Sequence, residues 1–285
     1  MNAKKLVGWA LTLLLLLASP VHAVSTAGSS AANTADTVPT FSAEETISFA
    51  KKVEKTVAAK GARVFLISRV GRSPKELPEG IGYTHTGFGV YSLIEKPDGS
   101  KVPGYVMYNL YQRTDKPNRS DLVQDYPVDF FTGVFELKAG IVIPSPELQK
   151  RLLEVIASDT YQKLHNPRYS VIANPFNDKY QNCTEYVLDV LNAAIYQTGN
   201  MGQLKANAQA YFTPQKVKIG PIKLLLGSIM SEDVTLSDHD GGPVVTATFE
   251  TISKYLEDYK LVSEQFVIMH YGKSRANTHI SEYYS

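Results

Sequence analysis

The chain has 285 residues, 44% of them hydrophobic and 20% charged, enough for one large core or two modest domains. Lys and Arg number 29 against 28 Asp and Glu, so no strong field exists to collect nucleic acid or anionic lipid. The single Cys excludes an internal disulfide framework and any Cys-cluster zinc or iron–sulfur site.

Lys4 and Lys5 precede an apolar run from Ala10 to Ala18, and Val21-His22-Ala23 offers the small residues that a signal peptidase reads. The expectation is a Sec-type signal peptide over 1–23, cleaved after Ala23, and a periplasmic or secreted mature protein. The apolar run is short for a transmembrane helix, and no Cys follows it to carry a lipid. Losing the two lysines takes the formal charge from +1 to −1. Residues 24–40 are small and polar and read as a flexible leader. A single domain is expected over 41–285.

Ser42 with Glu45 three residues on forms a capping-box pattern, and Ile47, Phe49, Ala50, Val53 and Val57 follow at helical spacing, which predicts a helix over 43–60. The β-branched run 62–70 lies between Gly61 and Gly71 and reads as a strand. Residues 84–94 and 102–112 read as two strands joined at Asp98-Gly99, a turn dipeptide. Short strands are expected at 130–134 and 140–143. A helix is expected over 146–157, a loop over the Asn-, Pro- and Tyr-rich 165–181, and a helix over 183–196. Weak helical patterns follow at 203–212 and 213–230, with a further helix over 246–259. A helix, a meander of strands and then mostly helices describes an α+β fold: an antiparallel sheet packed against helices, with additional C-terminal helices.

Asn182 is a preferred N-cap, so Cys183 falls in the first turn of its helix, where unpaired amides and the helix dipole favour a thiolate. A thiolate attacks acyl carbons when an imidazole holds the ion pair and later protonates the leaving group. Cys183 also shares a face with Val187, Val190, Leu191 and Ala194, so it is either a nucleophile or a small buried hydrophobe. Among the histidines, His85 begins a strand and is followed on its own face by Gly87 and Gly89, which open room for a helix end or a substrate. A two-residue turn at 98–99 places Gln112 directly opposite His85, whereas an asymmetric loop brings Asn109 to it; either amide can accept a ring proton. Pairing with an imidazolium is expected to lower the Cys183 pKa and raise that of His85.

The segment His85-Thr86-Gly87-Phe88-Gly89-Val90-Tyr91, followed later by Asn182-Cys183-Thr184-Glu185, resembles the circularly permuted branch of the NlpC-type papain-like superfamily. From Phe41 to about Tyr259 the chain also resembles a bacterial exported family, domain of unknown function 2145. The resemblance rests on Tyr83-Thr84-His85, Tyr108 to Gln112, Gln124-Asp125-Tyr126-Pro127, Leu164-His165-Asn166-Pro167 and Asn182 to Glu185. That family resemblance gives no activity; the papain-like resemblance implies a papain-like fold, a thiol nucleophile at Cys183 and a base at His85, with Gln112 or Asn109 orienting the base.

Two functions follow as expectations. One is an exported cysteine-dependent hydrolase or acyltransferase acting on an amide or ester, with peptidoglycan peptide or a lipid or acyl group as substrate and no cofactor. The other is a non-catalytic periplasmic binding or envelope-assembly protein on the same frame. No nucleic-acid partner and no transmembrane span are expected. Asp238-His239-Asp240 carries metal-ligand types, but with Gly241 and Gly242 beside it reads as a solvated turn. The apolar stretch 217–230 reads as a buried segment rather than a membrane contact.

Overall fold

The computed structural model describes residues 40–218 and 236–270. The expected signal peptide, nearly all of the leader, the stretch 219–230 and the tail from 271 lie outside the described residues.

The chain enters through α1 (Ala43–Ala59). Its capping box forms as the sequence predicts: Glu45 N–H donates to Ser42 Oγ at 3.2 Å, and Ser42 N–H donates to Glu45 Oε2 at 2.8 Å. A six-stranded sheet follows in the order β4-β3-β2-β1-β5-β8, antiparallel throughout. Its strands are β1 (Val64–Val70), β2 (His85–Glu95), β3 (Lys101–Gln112), β4 (Ser120–Asp125), β5 (Glu136–Pro144) and β8 (Val262–Met269). β1 lies in the interior of the sheet and is buried at every position, which accounts for the apolar run Val64 to Ile67 and leaves Ser68 and Arg69 buried beyond it.

Helices cover both faces. Phe65, Ile67, Tyr105 and Met107 pack against α1 and the short α2 (Pro127–Phe131). Val64, Leu66, Phe88, Val90 and Leu110 pack against α3 (Pro146–Ile156) and α5 (Cys183–Tyr196). A short α4 (Asp159–Lys163) precedes the loop over 165–181. After α5 come α6 (Met201–Tyr211), a two-residue pair β6 (Gln215–Lys216) and β7 (Val245–Thr246), and α7 (Phe249–Asp258) before the return to the sheet.

The architecture is α+β, an antiparallel sheet packed with helices. Several elements differ from expectation. Of the strand expected at 130–134, Phe130 and Phe131 end α2 and 132–134 form the turn and loop after it: Pro127 occupies the first turn, and Asp129 Oδ2 accepts from Tyr126 N–H at 3.2 Å, so capping overrides the β-propensity of two phenylalanines. The strand at 140–143 extends over 136–144. Of the helical pattern at 213–230, the described part contains strand β6. β4, α4 and β8 form where the sequence pattern predicts no element, and β8 means that the C-terminal part adds a strand as well as helices. No helix among the described residues is long and apolar enough to cross a membrane.

Candidate functional site

β2 and β3 meet through a five-residue loop, 96–100, rather than a two-residue turn. Lys96 N–H donates to Ser100 O at 2.8 Å, and Asp98 Oδ1 accepts from Ser100 N–H at 2.9 Å. The ladder runs from Glu95↔Lys101 to Phe88↔Tyr108. Extended, that register sets Tyr111 rather than Gln112 opposite His85, and the rings of His85 and Tyr111 stack with centroids 4.7 Å apart. Asn109 falls on the face of His85, and its Oδ1 lies 3.0 Å from His85 Nε2. Gln112 points to the other face and donates to Pro117 O at 2.8 Å. The asymmetric loop therefore selects Asn109 over Gln112 as the partner of His85.

Gly87 and Gly89 do make room, but for residues of the chain itself. A Cβ on Gly87 would lie 2.4 Å from Asn109 Oδ1, and one on Gly89 would lie 2.2 Å from the Phe65 ring. The first glycine admits the amide that holds His85, and the second admits a core ring from β1. Neither space belongs to a helix end or a substrate, as the strand period alone suggested.

Behind Asn109 stands a polar group that the sequence reading did not assign. Asn109 Nδ2 donates to Asp125 Oδ1, and Tyr111 Oη donates to Asp125 Oδ2, both at 2.8 Å. Arg69 lies opposite His85 on β1; its Nη1 donates to Phe130 O at 2.5 Å, and its guanidinium lies over the rings of Tyr111 and Phe130. Burial pushes the His85 imidazole down to about 3, with the Arg69 charge adding to the push and the Asn109 bond opposing it. Burial raises the Asp125 carboxyl to about 7, against the Tyr111 hydrogen bond and the Arg69 charge, which favour the ion.

Cys183 sits on the other side of this strand end. Asn182 is the N-cap of α5, its Oδ1 accepting from Glu185 N–H at 2.8 Å, while its Nδ2 reaches Val171 O at 3.0 Å and Thr246 Oγ1 at 3.2 Å. These bonds tie the start of α5 to the 165–181 loop and to β7. In an antiparallel strand successive amides face opposite neighbours. Tyr91 N–H donates to Arg63 at the head of β1, so the Thr86 N–H faces β3, beyond Phe88↔Tyr108 where the ladder stops. The Cys183 sulfur takes that place: the Thr86 and Thr184 amides and the Arg69 charge all favour its ionised form. Burial outweighs them and raises the thiol above its ordinary value.

The two shifts run opposite to those expected for an ion pair. Cys183 is 8% exposed and His85 1%, and no hydrogen bond joins them among the described residues. The resting thiol and imidazole are both neutral, because the desolvation that each suffers exceeds the help that amides and the helix end supply.

Farther along α5, Glu185 and Asp189 turn inward to Lys205 of α6. Lys205 Nζ lies 2.6 Å from Glu185 Oε1 and 2.8 Å from Asp189 Oδ1, with all three side chains buried. The turn at 238–240 is not solvated as expected. Asp238 and His239 are buried, because Asp238 Oδ2 accepts from Asn174 N–H at 2.8 Å and His239 Nε2 lies 3.1 Å from Ile172 O; Asp240 alone faces out, toward Lys179. No group of three metal-ligating side chains occurs among the described residues.

The comparisons with known proteins agree with the family read from the sequence. Residues 56–256 match the model of a family described as "Uncharacterized protein conserved in bacteria (DUF2145)", and the chain belongs to that family. No curated protein matches the chain. No solved structure matches it.

Proposed function

We propose that the protein is an exported cysteine-dependent hydrolase or acyltransferase of the permuted NlpC-type papain-like kind, acting on an amide or ester through Cys183 and His85. The observation that carries this reading is the His85 Nε2 to Asn109 Oδ1 contact of 3.0 Å at the strand end where the α5 N-terminus meets β2. With Nε2 held by the amide, Nδ1 is the nitrogen left to take a thiol proton. Cys183 sulfur attacks a carbonyl carbon, a C–S bond forms, and the thiol proton passes to His85 Nδ1. The C–N or C–O bond of the tetrahedral intermediate then breaks, and His85 returns the proton to the leaving amine or alcohol. Water attacks the thioester in a hydrolase, and a second nucleophile does so in a transferase. The amide of Cys183 at the helix start is a donor for the developing oxyanion. Because the resting pair is neutral, proton transfer belongs to the attack step rather than preceding it.

The buried, neutral state of both groups favours a second reading, a binding or envelope-assembly protein that retains the frame without the chemistry. One experiment separates them. The wild type, Cys183→Ala and His85→Ala are incubated with peptidoglycan and with a panel of ester lipids, and products and any adduct on Cys183 are read by mass spectrometry. Catalysis predicts products with the wild type alone and an acyl adduct at Cys183. Identical digests from wild type and Cys183→Ala would overturn it in favour of binding.

A further inference from the structure

We propose that Asp125 is a positioning residue that fixes the amide orientation of Asn109 and thereby the tautomer of His85. Its consequence for turnover rests on His85 being the base of the proposed reaction; its consequence for the tautomer does not.

An amide side chain offers oxygen on one side and NH2 on the other, and nothing in Asn109 itself decides which faces the imidazole. An ionised carboxylate does decide, because it accepts only. Asp125 Oδ1 takes Asn109 Nδ2–H at 2.8 Å. The Asn109 oxygen is then the atom turned to His85 Nε2 at 3.0 Å. That oxygen can only accept, so Nε2 carries the ring proton and Nδ1 keeps its lone pair. Rotating the amide by half a turn would set its oxygen against the carboxylate and its NH2 against Nε2, losing a charge-assisted bond and creating a repulsion.

The rest of the site holds Asp125 to this task. Its second oxygen is taken by Tyr111 Oη at 2.8 Å, and the ring of that tyrosine stacks on His85. One side chain thus clamps both the carboxylate and the imidazole. The Arg69 guanidinium, close to both, favours the ionised form of Asp125 and disfavours imidazolium at His85. The strand register places the group: Asp125 pairs with Met107 at the end of β4, on the same face as Asn109 one strand away. Asp129 of α2, the other carboxylate facing Asp125, opposes its ionisation.

The test is a long-range proton–nitrogen correlation on the 15N-labelled full chain, near pH 8 where Asp125 is ionised, with the His85 signal assigned from its loss in His85→Gln. The wild type should show a single Nε2–H tautomer. Asp125→Asn, isosteric but able to donate or accept, should lower the ratio of Nε2–H to Nδ1–H by about tenfold or more, the loss expected of a bond to a charged partner. A purely structural role would leave that ratio where it was. A single Nε2–H tautomer in Asp125→Asn, or an Nδ1–H tautomer in the wild type, would overturn the proposal. Turnover read on the same samples separates the two claims. If the wild type yields no Cys183-dependent product while the tautomer responds to Asp125, the catalytic reading fails and the positioning of His85 stands.

Discussion

Asp125→Asn also makes a thermodynamic prediction whose size follows from the site. The folded protein holds a proton on Asp125 up to about pH 7, whereas an ordinary aspartate releases it near 3.8. Between those values the folded state binds the extra proton, so stability falls as pH rises, by about 1.4 kcal/mol per pH unit and about 4 kcal/mol across the window. His85 acts in the opposite sense. Its ordinary value is 6.5 and its folded value about 3, so the unfolded chain binds the extra proton and stability is lost as pH falls, by roughly 5 kcal/mol in full. Over the shared range, about pH 4 to 6.5, the two slopes cancel in the wild type. Asp125→Asn removes one of them. Its unfolding free energy relative to wild type should climb by about 1.4 kcal/mol per pH unit through that range. The assay is urea unfolding of both proteins at several pH values, taken as a difference so that Glu185, Asp189 and His165, common to both, drop out. His85→Gln should give a difference of opposite slope. Parallel pH curves for wild type and Asp125→Asn would refute the reasoning, because the carboxylate would then titrate alike in the folded and unfolded chains.

Three further outcomes follow from neighbouring contacts. Gly87→Ala places a Cβ 2.4 Å from Asn109 Oδ1 and 2.8 Å from Tyr108 O, and should lower stability by about 1–3 kcal/mol in chemical denaturation, with the His85 ring signals shifted as Asn109 is displaced. Lys205→Met leaves Glu185 and Asp189 without their cation; the loss should reach about 3–5 kcal/mol near neutral pH and shrink in acid as the carboxyls take up protons, measured by denaturation at two pH values. Asn182→Ala removes the N-cap of α5 and its ties to Val171 and Thr246, and should cost about 1–2 kcal/mol by the same measurement.

What the sequence disclosed depended on whether a signal was local. The α1 capping box, the Asn182 cap and the 183–196 helix are written within a few residues, and each forms as read. The register of β2 against β3 hangs on the length of one loop, and Asp98-Gly99 names a turn without saying how many residues it closes. The choice between Gln112 and Asn109 therefore stayed open until the strands were paired. Asp125, Tyr111 and Arg69 were out of reach because they come from three different strands, and each is an ordinary strand residue taken alone. The pKa directions were missed for a related reason: a helix end and a histidine are visible in sequence, but the burial that outweighs them is a property of the packed core. β8 escaped because its exposed serine, glutamate and glutamine weaken the apolar alternation that marks a strand.

The late position of β8 has a consequence for how the chain must be assembled. β5 lies between β1 and β8, and its partner on the open side, from Lys138↔Met269 to Pro144↔Val262, is supplied only by the last described strand. Until that segment has emerged from the ribosome, the Gly140-Ile141-Val142-Ile143 backbone has amides and carbonyls with no ladder to join, on a strand rich in β-branched residues. β8 is thus a closing strip for the sheet, and its exposed Ser263, Glu264 and Gln265 make the first half of the new margin polar, while Val267 and Met269 leave the second half apolar. The family match ends at residue 256, within α7 and before this strand begins, so a chain trimmed to the matched region would keep His85 and Cys183 and leave the β5 edge bare.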